Sequence, residues 1–208
     1  MPDALPPAAR PRPVRARHAA SLLVLRDRAG GPELLMGLRG ARHRFMPNKL
    51  VFPGGGVDRA DLAAPAASPL APATRVRLEK AAGPALAHAI AIAAARELEE
   101  ETGLSLGRPP ALGGLRYLCR MVTPPENPIR FNARFLLIGA DAVTGTLAGS
   151  GELEALRFYP IAEALGGNLA EPQRRVIERL RAWLGMTEAE RAAEDRVPVY
   201  RRRAWALE

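Results

Sequence analysis

The stretch from Leu86 to Thr102 constrains the fold most. It contains neither proline nor glycine, in a chain that has 20 prolines and 19 glycines among 208 residues. It is also rich in alanine, the residue with the highest helix propensity. Gly103 follows directly, and glycine is the residue that most often ends a helix. The stretch therefore predicts a helix over residues 86–102, around which the rest of the domain must be arranged.

Four glutamates crowd into the last turns of this helix, at positions 97, 99, 100 and 101. Helical spacing places Glu97, Glu100 and Glu101 on one side, whereas Glu99 points elsewhere. Like charges at this spacing cost roughly a few tenths of a kcal/mol per pair, and they raise one another's pKa values. A cation such as Mg²⁺ removes both penalties because it prefers oxygen ligands, and Arg96 can hold one carboxylate in place. The cluster indicates a metal site, with a solvated acidic helix end as the alternative.

A second signal is the run VFPGGG at residues 51–56. Three glycines after a short apolar strand allow backbone conformations closed to other residues and let the main chain approach a ligand closely. Alone, this pattern is typical of an ordinary turn. Combined with a helix that carries three carboxylates on one side, it indicates a loop that offers a backbone carbonyl to the same metal.

The remaining sequence predicts several strands and one further helix. Residues 1–17 are rich in Pro and Arg and predict an irregular arm. Residues 62–85 lack a clean period, which predicts a loop with one short helical turn, and the tail from about residue 186 gives no clear pattern. Residues 172–184 have the pattern of an amphipathic helix. Apolar runs bounded by Gly and Pro predict the strands, which are Ala19–Arg26, Glu33–Arg39, Leu112–Val122, Arg130–Ile138 and Leu156–Tyr159.

The composition limits the class of protein. A chain of this length, with 48% hydrophobic and 25% charged residues, is expected to form one domain over residues 18–208. It has neither an apolar run of membrane-spanning length nor a secretory signal, and the single Cys119 cannot form an intrachain disulfide, so a cytoplasmic location is expected. The formal net charge of +8 suits a small phosphorylated substrate. Nucleic-acid binding is not expected as the main function, because no basic run is interleaved with aromatic residues.

The glutamate helix and the glycine run together resemble the signature of the Nudix hydrolase family, G-x5-E-x7-R-E-U-x-E-E-x-G-U, where U is aliphatic. The second half is complete from Arg96 to Leu104. In the first half, Gly55 is followed after five residues by Asp61, where the family has glutamate. Residues 62–95 then separate the halves, 34 residues where the family has seven, which is an insertion of 27 at about 62–88. Because both ends of the insertion must lie near the metal, its body is expected to form a flap over the substrate entrance rather than part of the core.

The resemblance implies a Nudix fold of the α/β class, a mixed β-sheet sandwiched between helices in an α/β/α arrangement. It also implies an enzyme that hydrolyses a diphosphate linked to another moiety, using Mg²⁺ or Mn²⁺. Carried over by position, Asp61 supports the signature region and Arg96 orients the glutamates. The implied metal ligands are Glu97, Glu100, Glu101 and the carbonyl of Gly55.

The resemblance leaves the general base open between two regions. Glu97 is the first choice, within a catalytic set that also includes Arg96 and Glu100. Some family members take the base from a later loop, and Glu152 and Glu154 occupy that position here, just before the last predicted strand. For these two residues a solvated surface pair is the alternative reading, and Glu152 is taken as the candidate.

Two further stretches resemble the peroxisomal coenzyme A diphosphatase branch of the family and its bacterial relatives. They are Arg44–Asp61 and Thr123–Ile138, on either side of the glutamate helix in sequence. The likeness implies cleavage of CoA or acyl-CoA, whose 3′-phosphate requires arginines beyond those that serve the diphosphate. Arg39, Arg44 and Arg130 are the expected substrate-binding residues.

Other functions stay open. They are hydrolysis of ADP-ribose or another nucleotide sugar, a Nudix-fold binding module without catalysis, and RNA decapping that uses the basic arm. Binding modules usually lose the signature glutamates, and all of these are present here. Analogy with family members also implies a homodimer.

Overall fold

The computed structural model describes residues 14–42 and 46–208, and the expected arm therefore lies largely outside the described residues. The strands β1 to β11 span, in chain order, Arg17–Arg26, Glu33–Arg39, Leu50–Val51, Gly54–Gly56, Leu104–Ser105, Arg116–Val122, Phe131–Gly139, Thr144–Gly145, Leu153–Pro160, Pro198–Arg201 and Ala204–Leu207. The helices α1 to α5 span Pro72–Glu79, Pro84–Thr102, Ile161–Gly166, Glu171–Leu184 and Glu188–Ala193. Short 3₁₀ turns lie at Ala60–Leu62 and Ala140–Ala142.

Within the described residues, nine strands form one mixed sheet. Its main path runs β11-β10-β6-β7-β1-β2-β3, with β4 added beside β1 and β9 beside β2. The long β1 pairs parallel with β7 from Arg17↔Phe131 to Leu25↔Gly139 and antiparallel with β4. The strand β1 therefore lies at the centre of the sheet and carries the glycine strand β4 at its beginning.

Helices cover both faces of this sheet. Successive side chains of β1 alternate between two buried clusters, as a strand requires. Leu22 and Val24 belong to the cluster that contains α2, whereas Leu23 belongs to the cluster that contains Val176 and Ile177 of α4. The expected α/β fold, with a mixed sheet between helices, is confirmed.

The predicted glutamate helix is α2, which begins two residues earlier than expected, at Pro84. Proline is well tolerated in the first turn of a helix because its missing N–H would have no partner there. The helix ends as predicted: Gly103 adopts the left-handed φ of 72°, and its N–H donates to the carbonyl of Glu99 at 2.9 Å. Alanines on α2 let it pack closely on β1, with Ile90 and Leu98 fully buried.

The segment 62–85 differs from the prediction. Its eight-residue α1 is longer than a single turn, and Leu70, Leu78 and Ala82 are buried in the same cluster as α2. The hydroxyl of Thr74 donates to the carbonyl of Leu115 at 2.8 Å, which ties α1 to the start of β6. The expectation of a flap outside the core was therefore wrong. Short apolar residues between prolines hid the burial, because they give no helical period.

The C-terminal tail, which the sequence left unassigned, forms α5 and the hairpin β10–β11. The strand β10 pairs parallel with β6 through Val199↔Arg120, so the hairpin extends the sheet at one edge. Its turn residues Arg202 and Arg203 have positive φ values of 51° and 61°. Across residues 14–42 and 46–208, none of the helices combines the length and apolar character needed to span a bilayer.

Candidate active site

The glycine strand β4 meets the last turns of α2 through Gly54. The N–H of Gly54 donates to Oε2 of Glu101 at 2.8 Å. Gly54 has a φ of 154°, and a Cβ at this position would lie 2.4 Å from the carbonyl oxygen of Ala20. Because only glycine fits this backbone, the first residue of the GGG run fixes how closely β4 approaches β1 and Glu101.

The carboxylate of Glu97 lies directly against Gly55. A Cβ added to Gly55 would lie 2.4 Å from Oε1 and 2.6 Å from Oε2 of Glu97, closer than any side chain allows. The absence of a side chain at this position therefore creates the place that the carboxylate occupies. Glu97 and Glu101 are one helical turn apart, so both reach β4 from the same side of α2.

Arg96 joins the two halves of the signature. Its Nε and Nη2 donate to the two carboxylate oxygens of Asp61 at 3.1 and 3.2 Å. Its Nη1 donates to Glu97 at 2.8 Å and to Glu100 at 3.0 Å, and Nη2 also donates to the carbonyl of Gly56 at 2.9 Å. Burial alone would lower the pKa of Arg96, but the hydrogen bonds to Asp61 and the negative charges of Glu97 and Asp61 hold it above its ordinary value.

Burial makes the two inner carboxylates costly to ionise without a cation. Burial raises the pKa of Glu101 to about 8, opposed by the N–H of Gly54 and reinforced by the charge of Glu97. Burial also raises the pKa of Glu97. The charge and hydrogen bond of Arg96 act to lower this pKa, whereas the charges of Glu100 and Glu152 raise it further. Added positive charge at this place would relieve both penalties.

The donor set fits a cation that prefers oxygen. Glu97 and Glu101 present carboxylates at a glycine backbone, which is the ligand chemistry of Mg²⁺ and Mn²⁺. The described part of the chain contains no cluster of three or more His, Cys, Asp or Glu already gathered as a metal site. Glu100 differs from the other two glutamates in its exposure. Its side chain is 57% exposed and accepts a hydrogen bond from Arg96.

Other predicted residues are placed around this centre. The charge of Glu152 raises the pKa values of Glu97 and Glu101, and that of Arg39 lowers the pKa of Glu101, so both residues lie near the carboxylates. The carbonyl of Glu152 accepts from the N–H of Gly40 at 3.4 Å, which holds its loop at the end of β2. Glu154 is exposed on β9.

The structure describes two of the three expected substrate-binding arginines, and their surroundings differ. Arg39 lines a large cavity beside the glycine strand. Arg130 is instead engaged by backbone, because its guanidinium donates to the carbonyls of Thr123 and Val14. Arg44 lies outside the described residues.

The cavity next to the glycine strand has a volume of about 460 Å³. It extends from Gly54–Gly56 and Arg39 towards the start of α4 and the C-terminal hairpin, and its walls include several apolar and aromatic side chains. Sequence reasoning missed the contributions of Gln173, Tyr200 and Arg203. The only available signal was the basic run at residues 201–203, whose strand pairing could not be read from a polar tail.

Comparison with known proteins agrees with this architecture. Residues 87–180 match the model of the NUDIX domain. A NUDIX hydrolase from Alicyclobacillus acidocaldarius is 26% identical, with a TM-score of 0.63 over 81% of this chain and 92% of that one. None of the curated proteins matches this chain.

Two more distant structures show the fold alone. A MutT NUDIX hydrolase from Burkholderia pseudomallei is 20% identical, with a TM-score of 0.52 over 80% of this chain and 99% of that one. A Nudix hydrolase from M. smegmatis is 20% identical, with a TM-score of 0.51 over 82% of this chain and 88% of that one.

The match to the NUDIX domain and the fold shared with a NUDIX hydrolase support a pyrophosphohydrolase, an enzyme that acts on acid anhydrides. The domain match and the neighbour from A. acidocaldarius support the Nudix family for this chain. Enzymes of that family generally use divalent metals such as Mg²⁺.

Proposed function

We propose that this enzyme hydrolyses the diphosphate linkage of a nucleoside diphosphate joined to another moiety, with Mg²⁺ or Mn²⁺ as cofactor. One observation carries the proposal: the carboxylates of Glu97 and of the buried Glu101 meet the backbone of Gly55 and Gly54, and these glycines line a cavity of about 460 Å³. The proposed metal ligands are Glu97, Glu100, Glu101 and the carbonyl of Gly55.

The residues of the chain have separate tasks in this proposal. A divalent cation, when bound, supplies positive charge that neutralises phosphate oxygens and helps to activate the attacking water. Arg96 positions the carboxylates of Glu97 and Glu100 through its hydrogen bonds to them. Glu97 is the proposed general base, because its carboxylate lies against Gly55, one helical turn from Glu101 at the proposed metal site.

Glu152 is the second candidate for the base. It lies on a separate loop, and its charge acts on both Glu97 and Glu101, which supports a position near these carboxylates. Replacing each carboxylate by its amide separates the two assignments. Loss of the general base lowers kcat by about 10²–10⁴-fold, whereas loss of a surface glutamate leaves kcat unchanged.

The proposal is tested by a hydrolysis screen at saturating Mg²⁺ over CoA, ADP-ribose, NADH, dinucleoside polyphosphates and nucleoside triphosphates. We expect at least one diphosphate to be cleaved, and we expect Glu101→Gln to reduce kcat by orders of magnitude while the protein stays folded. Glu99→Gln is the matched control, because Glu99 lies on the same helix turn but pairs with the exposed Arg108. Full activity in a Glu100→Gln, Glu101→Gln double variant would overturn the metal assignment.

Coenzyme A is the substrate that the sequence resemblance favours. Arg39, one of the arginines predicted for the 3′-phosphate, lines the cavity. Arg203 of the C-terminal hairpin, which was not predicted, lines it as well. The test compares CoA with 3′-dephospho-CoA. An enzyme for CoA should lose much of its kcat/KM without the 3′-phosphate, and Arg39→Ala or Arg203→Ala should weaken it similarly. Equal rates on both compounds, or faster cleavage of ADP-ribose, would exclude CoA.

Several expectations from the sequence stay predictions. They are a single domain over residues 18–208, a cytoplasmic location and a homodimer. The rival reading of a binding module without catalysis is answered by the same screen, because such a module would bind a nucleotide and cleave none of the compounds.

A further inference from the structure

A second groove begins at Gly56, the last residue of the glycine strand. It has a volume of about 550 Å³, and its lining includes Leu86 of α2, His18 at the start of β1, and Arg15, Arg17 and Arg59. The groove lies on the α2 side of the sheet, because Leu86 packs against the buried cluster that contains α2. The larger cavity reaches the start of α4 instead, and the two meet at Gly56, which lines both. We call the second one the arginine groove.

Positive charge dominates the lining of the arginine groove. Its three arginines are exposed, and none of them forms an ion pair with another described residue; they are Arg15, Arg17 and Arg59. Among the described residues that line the groove, Asp58 alone carries a carboxylate. That carboxylate is 72% exposed and lies 3.8 Å from Nη2 of Arg96, which offsets its charge. The groove therefore has an excess of positive charge, which attracts an anion.

A buried arginine lies behind this groove. Arg134 of β7 is fully buried, and among the described residues it has no carboxylate at ion-pair distance. Its guanidinium instead donates to Nδ1 of His18 at 2.9 Å and to two backbone carbonyls. The charge of Glu208 also acts on Arg134, but the carboxylate of Glu208 accepts its hydrogen bond from Arg120. A buried charge without a paired opposite charge is costly, so an anion bound at His18 offsets part of that cost.

The contact with Arg134 determines which nitrogen of His18 carries the proton. A guanidinium can only donate, so Nδ1 accepts and the ring proton lies on Nε2. Burial lowers the pKa of His18, and the charges of Arg134, Arg15 and Arg120 lower it further, so the ring is neutral. Nε2 has no hydrogen-bond partner within the part of the chain that the structure describes. Because Nδ1 faces the buried guanidinium and His18 lines the groove, Nε2–H is the donor on the groove side.

We propose that the arginine groove binds a phosphate monoester or inorganic phosphate as a dianion, held by Nε2–H of His18 and the guanidinium groups of Arg15 and Arg59. A guanidinium matches phosphate oxygens with two parallel hydrogen bonds, and a dianion balances more of the excess positive charge than a carboxylate does. The site is distinct from the proposed metal site, but Gly56 adjoins Gly55. The dianion is therefore either an additional phosphate of the substrate or free inorganic phosphate, and the chemistry of recognition is the same for both.

The test titrates inorganic phosphate into the full chain by calorimetry, in chelator and at constant ionic strength, so that neither a metal ion nor salt screening determines the result. We expect Arg15→Gln and His18→Asn each to weaken binding about tenfold or more, because each variant removes a hydrogen bond to a charged group. Both variants should fold, which circular dichroism checks. Arg15 is exposed, and the side-chain oxygen of the asparagine can accept from Arg134 in place of Nδ1.

Arg28→Gln is the matched control, because it makes the same change of charge at a distant place. Arg28 is exposed between β1 and β2 and lines neither the cavity nor the groove. Its variant should bind phosphate as the wild type does. No binding of phosphate to the wild type, unchanged affinity in Arg15→Gln or in His18→Asn, or an equal loss of affinity in Arg28→Gln would each overturn the inference.

CoA and 3′-dephospho-CoA distinguish the two sources of the phosphate in the same buffer. If the substrate carries it, the wild type should bind CoA about tenfold or more tightly than 3′-dephospho-CoA, and Arg15→Gln should lose this preference. If free phosphate is the ligand, the ratio of the two affinities should be the same in Arg15→Gln as in the wild type. Hydrolysis of diphosphates is measured on the same samples. A protein that cleaves them but binds no phosphate in the groove refutes this inference and leaves the proposed function standing.

Discussion

The ion pair between Arg96 and Asp61 joins the two halves of the site, and its removal makes a quantitative prediction. Asp61 exposes only 3% of its side chain, and both of its oxygens accept hydrogen bonds from Arg96. In Arg96→Met, one further bond remains, from the N–H of Asp58 at 2.7 Å. Leaving a buried charge without its partner costs about 3–5 kcal/mol. We expect the free energy of unfolding to fall by that amount.

A double-mutant cycle isolates the pair. In the Asp61→Asn variant the buried charge is absent. Adding Arg96→Met to this variant should therefore lower the free energy of unfolding by about 2 kcal/mol less than Arg96→Met does in the wild type. The measurement is urea unfolding at equilibrium in the presence of a chelator, with m-values compared to confirm that the unfolding transition is unchanged.

A surface pair provides the control for this cycle. Arg108, with 84% of its side chain exposed, pairs with Glu99. Because exposed pairs contribute about 0–1 kcal/mol, Arg108→Met should have little effect. The reasoning is refuted if Arg96→Met lowers the free energy of unfolding no more than Arg108→Met does. It is also refuted if the effects of the changes at Arg96 and Asp61 on this free energy are additive, because the two residues would then not stabilise each other.

Three further predictions concern the site and the core. Gly55→Ala should lower kcat at least tenfold with little loss of fold, because a Cβ would lie 2.4 Å from Oε1 of Glu97; steady-state kinetics checks it, and unchanged kcat contradicts it. Leu78→Ala should lower the free energy of unfolding by about 2–5 kcal/mol, because Leu78 is 1% exposed in the main core. A loss under 1 kcal/mol would indicate that α1 is a surface flap and not part of the core. In chelator, the free energy of unfolding should fall as pH rises from about 4.5 through about 8. Burial raises the pKa of Glu101 to about 8, so the folded state binds this proton more tightly than the unfolded state does. Urea unfolding of Glu101→Gln across this range should lack that part of the decline.

The parts of the fold that were predictable have strong local signals. The helix α2 could be read from its alanines, its lack of Pro and Gly, and the stop at Gly103. The glycine run and the glutamates could be connected because their chemistry is complementary, and the structure brings Gly55, Glu97 and Glu101 together. Their roles as metal ligands stay predictions.

The parts that were missed depend on contacts between distant segments. The segment 62–85 buries Leu78 and Ala82 through tertiary packing, and its prolines conceal any period. The hairpin β10–β11 depends on parallel pairing with β6, some 80 residues earlier, which leaves little trace in a short polar sequence. Arg130 stays a predicted substrate-binding residue, and in the structure its guanidinium donates to the backbone carbonyls of Thr123 and Val14.

The long insertion shows why the spacing of the signature can change while the geometry of the site is kept. Asp61 stands just before the insertion and is held by Arg96, which follows it on α2. The cost of closing a longer loop grows only with the logarithm of its length, and burial of Leu70, Leu78 and Ala82 opposes that cost. Aspartate in place of glutamate is accommodated by the same contact, because the guanidinium of Arg96 reaches both oxygens of the shorter side chain. The site is therefore defined by the contact between Asp61 and Arg96 rather than by the number of residues between them.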